Sequence, residues 1–304
     1  MAFTAQDVKE LREKTGCGMM DCKNALTQAD GNMEAAIDFL REKGLAAAAK
    51  KAGRIAAEGI VYASVANNVG VVVEVNAETD FVAKNAEFGA FVADLAEIIA
   101  KENPADVDAL LNCTKDGLTV ADILRDKILT IGENIKIRRF QRYEGDIVTY
   151  VHGGGRIGVM IKFETTNGIG DKDEFIVAGK DVAMQIAALN PAYFDEASVP
   201  AEVIEKEKEF MIAQMKEDPK MANKPDAVLE KIVSGKIGKY YKENCLMDQA
   251  FVKDGSMNVT QYLAGVAKDL GGDIKIVEYV RFEKGEGLEK REDNFGDEIA
   301  ELLK

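Results

Sequence analysis

Cysteine and histidine are scarce, with four cysteines (Cys17, Cys22, Cys113, Cys245) and one histidine, His152, in 304 residues. No two cysteines form a C-x-x-C pair, so neither a disulfide scaffold nor a Cys/His zinc site has its ligands. No metal and no cofactor is expected. Long apolar runs are also missing. None reaches the roughly 18 residues that a membrane-spanning helix needs. Met1–Glu10 is polar and carries acids, unlike a secretory leader with its basic start and apolar centre, so a cytoplasmic protein is expected. Basic charge is short as well: 39 Lys and Arg face 53 Asp and Glu, for a net charge of −14. Broad contact with nucleic acid and docking on an anionic membrane both rely on spare cations, so both are disfavoured. A protein partner or a small ligand is favoured instead. The 47% hydrophobic content suits a folded soluble chain, and at about 150 residues per domain two or more modules are expected.

The first stretch reads as three short amphipathic helices, Thr4–Lys14, Met19–Gln28 and Asn32–Glu42, with Val8, Leu11, Leu26, Ile37 and Leu40 as their core. Thr4 and Asn32 suit N-caps, and Gly16, Gly31 and Gly44 stand where left-handed C-terminal residues belong. Ala46–Gly53 has high helix propensity but little apolar surface beyond alanine, which predicts a helical linker and a boundary near Ala56.

A duplication follows. Ile60–Ser64 with Gly70–Val75, and Asp146–Val151 with Gly158–Glu164, each predict a strand pair. Each pair is followed by a helical run, Phe88–Ala100 or Asp181–Leu189, that ends at an asparagine-proline pair. Leu118-Thr-Val-Ala-Asp-Ile-Leu and Gly132-Glu-Asn-Ile-Lys-Ile match Met257-Asn-Val-Thr-Gln-Tyr-Leu and Gly271-Gly-Asp-Ile-Lys-Ile. Each copy therefore reads strand, strand, helix, helix, strand, an α+β fold with antiparallel sheets. Ala100 to Val120 spans about 20 residues and Leu189 to Val259 about 70, so the second copy carries an insertion. Its charged helices, Pro200–Glu217 and Asp226–Tyr241, read as a projecting hairpin with Val203, Phe210, Ile212, Met215, Val228, Leu229 and Ile232 as apolar positions. Gly285-Glu-Gly-Leu ends the last strand, and Glu289–Lys304 can form an end helix. The domains are then residues 1–55, 56–143, 144–280 with an insertion at about 190–245, and 281–304.

Gly153-Gly-Gly-Arg-Ile-Gly158 satisfies G-x-G-x-x-G, but a dinucleotide site needs a helix after it, and Val159-Met-Ile-Lys-Phe-Glu alternates as a strand. The duplicated position Asn67-Asn-Val-Gly70 is a hairpin turn. No G-x-x-x-x-G-K-[ST] occurs. His152, at that hairpin tip, lacks a nucleophile partner and reads as a solvated turn residue or a partner contact. Met19 and Met20 open a helix on which one can face the core and the other solvent, either as packing or as a docking surface. Arg12 and Lys23 nearby read as solvated charges. In Glu74-Val-Asn-Ala-Glu-Thr-Asp-Phe-Val-Ala-Lys84 a buried strand ends and a helical turn starts. Thr79 or Asp80 can cap that turn with Phe81 packed beneath, or Phe81 and Asp80 can stand out at a tip. The residues leave both readings open.

Leu11-Arg-Glu-Lys-Thr-Gly-Cys-Gly-Met-Met-Asp-Cys-Lys-Asn-Ala-Leu26 and Glu74–Lys84 closely resemble the two signature motifs of bacterial translation elongation factor Ts. The likeness continues through Ile131–Arg139, His152-Gly, Arg156–Val159 and Arg281–Lys290, and so covers essentially the whole chain. The resemblance implies a nucleotide-exchange factor for elongation factor Tu, in its GDP-bound and nucleotide-free forms, that performs no covalent chemistry. It implies a ubiquitin-associated-like first bundle, a two-part core, a helical hairpin used for self-association in some members, and a C-terminal helical module. It assigns Asp80 and Phe81 to entry between helices of the GTPase domain, disturbing its magnesium, with Thr79 and Val82 completing the stretch. Arg12, Met19, Met20 and Lys23 become the first-bundle contact surface, and Ile131, Gly132 and His152 further contacts. A dinucleotide-binding enzyme and a generic helical adaptor are the competing readings.

Overall fold

In the computed structural model, which describes residues 3–218, 221 and 224–290, three helices come first: α1 (Ala5–Thr15), α2 (Met19–Gln28) and α3 (Met33–Lys51). Thr4 forms a capping box with Asp7, Asn32 caps α3 through Ala35 N, and Gly16 and Gly31 are left-handed as expected. Val8, Leu11, Leu26 and Leu40 are buried together with Cys17, Cys22, Ala25 and Ala36, while Ile37 is only partly buried. Two expectations for α3 fail. The helix does not stop near Glu42, and Gly44 is not a cap but a buried residue inside it, against Arg125 and Leu129. The alanine-rich half is therefore no free linker. Its small side chains let it pack closely on a later helix, and Ala48 joins the neighbouring core.

β1 (Glu58–Ala66) and β2 (Val69–Ala77) form an antiparallel hairpin with Ile60 opposite Val75. Asn67 and Asn68, at φ 52° and 59°, make the two-residue turn whose twist matches that of the strands. Next come α4 (Asp80–Ala83), α5 (Ala86–Glu102), α6 (Val107–Asn112), the short hairpin β3 (Thr114–Lys115) and β4 (Leu118–Thr119), α7 (Val120–Ile131) and β5 (Lys136–Glu144). β5 pairs antiparallel with β2, giving the sheet order β1-β2-β5. β2 is central and buried nearly throughout. α5 covers the sheet, with Phe88, Phe91, Leu95 and Ile99 in one core with Val71, Val73 and Val75.

The second half holds β6 (Asp146–His152), β7 (Ile157–Thr165), α8 (Asp173–Leu189), α9 (Ala201–Glu217), α10 (Asp226–Asn244), the hairpin β8 (Ala250–Phe251) and β9 (Asp254–Asn258), α11 (Val259–Leu270) and β10 (Ile274–Glu283). The second sheet runs β10-β7-β6. Fold class is as expected, helices with antiparallel sheets. α5 and α8 both end on a left-handed asparagine, Asn103 or Asn190, before proline, and α7 and α11 both begin with a capping box and end on glycine. α8 starts eight residues earlier than the periodicity predicts, so Asp181 is not a helix start. It is a buried mid-helix residue bound by Lys253 Nζ at 2.6 Å and Tyr262 Oη at 3.1 Å. The described chain divides into two compact units. One holds the residues through Glu144, Val151–Met160 and the segment from Phe282; the other holds Gly145–Tyr150 and Ile161–Arg281.

Helices α9 and α10 pack on each other around Ile204, Met215, Leu229, Val233 and Ile237. Phe210 and Val228, expected in this seam, are exposed instead, because Val233 and Ile237 fill it. Of the end helix expected over Glu289–Lys304, Glu289 and Lys290 are not helical, and residues 291–304 lie outside the described residues. Among the described residues no helix is long and apolar enough to cross a membrane.

Candidate functional site

The segment after β2 turns on two side chains from elsewhere in the same unit. Glu133 Oε2 accepts from the backbone N–H groups of Glu78 and Thr79 at 3.0 Å each, and Glu133 Oε1 accepts from Thr79 Oγ1 at 2.6 Å. In return Glu78 Oε1 accepts from Asn134 N at 2.6 Å and from Arg54 Nη1 at 3.3 Å. Thr79 then caps α4, accepting weakly from Val82 N at 3.4 Å. Within α4 the neighbours part. Val82 is buried in the first core, whereas Phe81 is 81% exposed. Phe81 therefore does not pack beneath the turn, and the tip alternative is the one realised. Lys84 Nζ donates to Asp80 Oδ2 at 2.6 Å, and this bond holds the Asp80 carboxyl below the usual aspartate range and the Lys84 ammonium above the usual lysine range. Glu58, Glu78, Lys84, Lys284 and Lys290 line a charged recess with Asp80 and Phe81, in which Lys284 is paired with Glu58. Ile131 ends α7, Gly132 turns the chain at φ +87°, and Glu133 follows. Ile131 and Gly132 thus adjoin the corner that holds Thr79.

A second place lies on the first bundle. Phe3, Val8, Met19 and Met20 form the apolar floor of a groove of about 780 Å³, with Lys9, Arg12 and Lys23 also lining it. Neither methionine faces the core. Met19 is 61% and Met20 64% exposed, because Cys17, in the preceding turn, and Cys22 fill the inward positions at that end of α2. The structure thus gathers Arg12, Met19, Met20 and Lys23 into one surface.

His152 occupies a third place, the exposed end of β6, and lines neither groove. Its carbonyl accepts from Arg156 N at 3.0 Å, and Gly155 O accepts from Val61 N at 2.8 Å, tying this turn to β1. β7 starts at Ile157, so a strand follows the glycines. A Cβ on Gly158 would stand 2.4 Å from Val61 Cγ1. The glycine pattern serves close packing here and lacks the helix N-terminus that a pyrophosphate requires. Among the described residues no group of three or more His, Cys, Asp or Glu could hold a metal ion.

Residues 78–286 match the model of the family described as Elongation factor TS. The chain belongs to the elongation factor Ts family. It is 48% identical over 309 residues to an elongation factor Ts of Syntrophotalea carbinolica, the match covering 100% of both chains. It is 49% identical over 306 residues to that of Clostridium perfringens and 49% identical over 307 residues to that of Clostridioides difficile, each match covering 99% of both chains.

In this elongation factor Ts chain, sequence reasoning missed Glu78 and Glu133, which hold the tip. No local signal marked them: where Gly132-Glu-Asn-Ile-Lys-Ile matches Gly271-Gly-Asp-Ile-Lys-Ile, Gly272 stands in the place of Glu133 and Asp273 in that of Asn134. The Asp273 N–H donates to Thr166 Oγ1 at 2.8 Å, much as the Asn134 N–H donates to Glu78 Oε1 at 2.6 Å. Ile169, just past that turn, is fully buried, whereas Phe81 is exposed.

Proposed function

We propose that the chain is a guanine-nucleotide exchange factor. It binds elongation factor Tu·GDP, disturbs the partner's magnesium site and promotes GDP release, so that GTP can bind during translation elongation. The observation that carries this reading is Phe81, a large aromatic ring left 81% in water on a tip fastened by Glu133 and capped by Thr79. Such a ring gains most by entering an apolar gap in another protein. The mechanism is linkage: a factor that binds the nucleotide-free GTPase more tightly than the GDP-bound form weakens GDP binding by the same ratio. Phe81 is the wedge that is favourable only in the distorted partner, and Val82 anchors it from below. Asp80, kept ionised by Lys84, perturbs the network around the magnesium whose charge otherwise neutralises the phosphates. No covalent chemistry is involved.

Arg12, Met19, Met20 and Lys23 hold the partner through the first bundle, which we read as ubiquitin-associated-like. Ile131 and Gly132 add contacts beside the tip, and His152 reaches another domain of the partner. The two sheets with their flanking helices are copies of one ancestral unit, divided as residues 56–143 and 144–280. The α9–α10 hairpin is the segment available for self-association, and the chain works in the cytoplasm without direct contact to nucleic acid or membrane.

The test is release of a fluorescent GDP analogue from elongation factor Tu in excess unlabelled GDP. Phe81→Ala should slow catalysed release about 30- to 1000-fold, the equivalent of losing about 2 to 4 kcal/mol of desolvated aromatic contact, with thermal unfolding unchanged. A variant that exchanges at the parental rate would remove Phe81 from the mechanism.

A further inference from the structure

We infer that Glu133 is a positioning residue for nucleotide exchange, setting the Asp80–Phe81 tip from the corner between α7 and β5. The inference rests on the exchange-factor reading above. α4 has four residues, and its own backbone bonds are few: Ala83 N to Thr79 O at 3.4 Å, Lys84 N to Asp80 O at 3.1 Å, and Asn85 N to Val82 O at 3.0 Å. One turn of helix cannot hold itself in water. Two attachments therefore fix the direction of Phe81. Val82 roots the turn in the core, and the Glu133 carboxylate gathers the Glu78 and Thr79 amides and the Thr79 hydroxyl. The clasp is reciprocal, since Glu78 accepts from Asn134 N in the same corner, and Asn134 Nδ2 donates to Arg54 O at 2.7 Å.

The corner is also the end of a longer packed path. α7 carries the second half of α3 through Gly44 and Leu129, and Lys51 Nζ donates to Ile128 O at 3.2 Å. α3 is one continuous helix back into the bundle that bears the Met19–Met20 groove. A partner seated on that groove is thus connected through α3, α7 and Glu133 to the tip. Glu133 is the link whose loss would free the tip without altering the groove.

Exchange kinetics with the full-length chain separate positioning from binding. Glu133→Ala should lower the maximal rate of GDP release about tenfold or more and move the half-saturating concentration less than about threefold. Glu133→Gln keeps an acceptor for the two amides and should fall between. In a Phe81→Ala background Glu133→Ala should add clearly less than its full loss, only the share carried by Asp80, because the ring it positions is already gone. Amide hydrogen exchange without any partner supplies a second reading: residues 79–84 should exchange about tenfold faster in Glu133→Ala while α5 stays protected. Unchanged protection at 79–84, or an additive loss in the double variant, overturns the inference. Full activity of Glu133→Ala beside a crippled Phe81→Ala overturns Glu133 alone, whereas full activity of Phe81→Ala overturns the wedge and the positioning role with it.

Discussion

Asp80 is paired with Lys84 one turn along α4. Its carboxyl titrates below the ordinary value of 3.8 because Lys84 bonds the ionised form, so the pair's contribution is present above the unfolded-state value and is lost as pH falls through the folded one. Carbon-detected NMR titration should show Asp80 ionised throughout the neutral range, and Lys84→Ala should bring its midpoint back up toward that of a free aspartate. Phe81 and Val82, next along, are adjacent apolar residues with opposite fates. The cap at Thr79 and the turn after it were legible from residue type. The direction of Phe81 was not, because four residues carry no periodicity and the Glu133 side chain, which bonds the start of that turn, lies 54 positions away in the chain. Gly158 is a residue whose role was legible only by exclusion: the pattern around it failed the dinucleotide test, but the reason for a glycine needed coordinates. With Val61 Cγ1 at 2.4 Å from the site of a Cβ and Val72 Cγ2 at 3.2 Å, Gly158→Ala should cost about 1–3 kcal/mol by urea denaturation.

Among elements, length and periodicity decided what could be read. β1, β2, β6, β7 and α5 fall close to their expected places because alternation or a three-to-four repeat runs through each. The two-residue strands β3 and β4 left no such trace and were missed. α3 departs from its pattern for a different reason: local chemistry predicts a break at Gly44, and a tertiary contact with α7 carries the helix through. That contact makes a prediction. Gly44 has ordinary helical geometry, and an added Cβ would meet Arg125 O and Leu129 Cδ2 at 3.8 Å, a normal contact distance. Gly44→Ala should therefore stabilise the protein by about 0.5–1 kcal/mol, seen as a raised urea midpoint with unchanged slope. A loss of stability would mean that α3 and α7 pack more tightly than these distances allow.

At the scale of the whole chain, the unit that contains the first residues also contains the segment from Phe282, and Glu74 fastens that closure. Pairing of β2 with β5 shifts between Glu74 and Val75, so that Arg138 is an extra residue on β5. Successive residues on a strand normally point to opposite faces, and the bulge lets Arg138 and Arg139 both reach Glu74, at 2.9 and 2.6 Å. Glu74 also accepts from Gly285 N at 2.8 Å, and Arg139 lies 4.3 Å from the Phe282 ring centroid. Glu74→Ala would leave two guanidiniums without their fully buried partner. It should cost about 3–5 kcal/mol in unfolding and hasten limited proteolysis around residues 284–290. Sequence reading saw Glu74 only as part of a motif, because pairing across 65 positions with a bulge has no local signature. The α9–α10 hairpin, by contrast, was legible as two charged helices joined by a breaker-rich turn, and its geometry has a practical side. Tyr193 N donates to Asn244 O at 3.1 Å and Leu246 N to Tyr193 O at 3.0 Å, so the chain leaves and re-enters through one narrow neck. With its ends already joined, whatever hangs from that neck adds little closure entropy as it grows. The neck is a splice port, where a reporter, an affinity handle or a shorter loop could be plugged in place of α9 and α10.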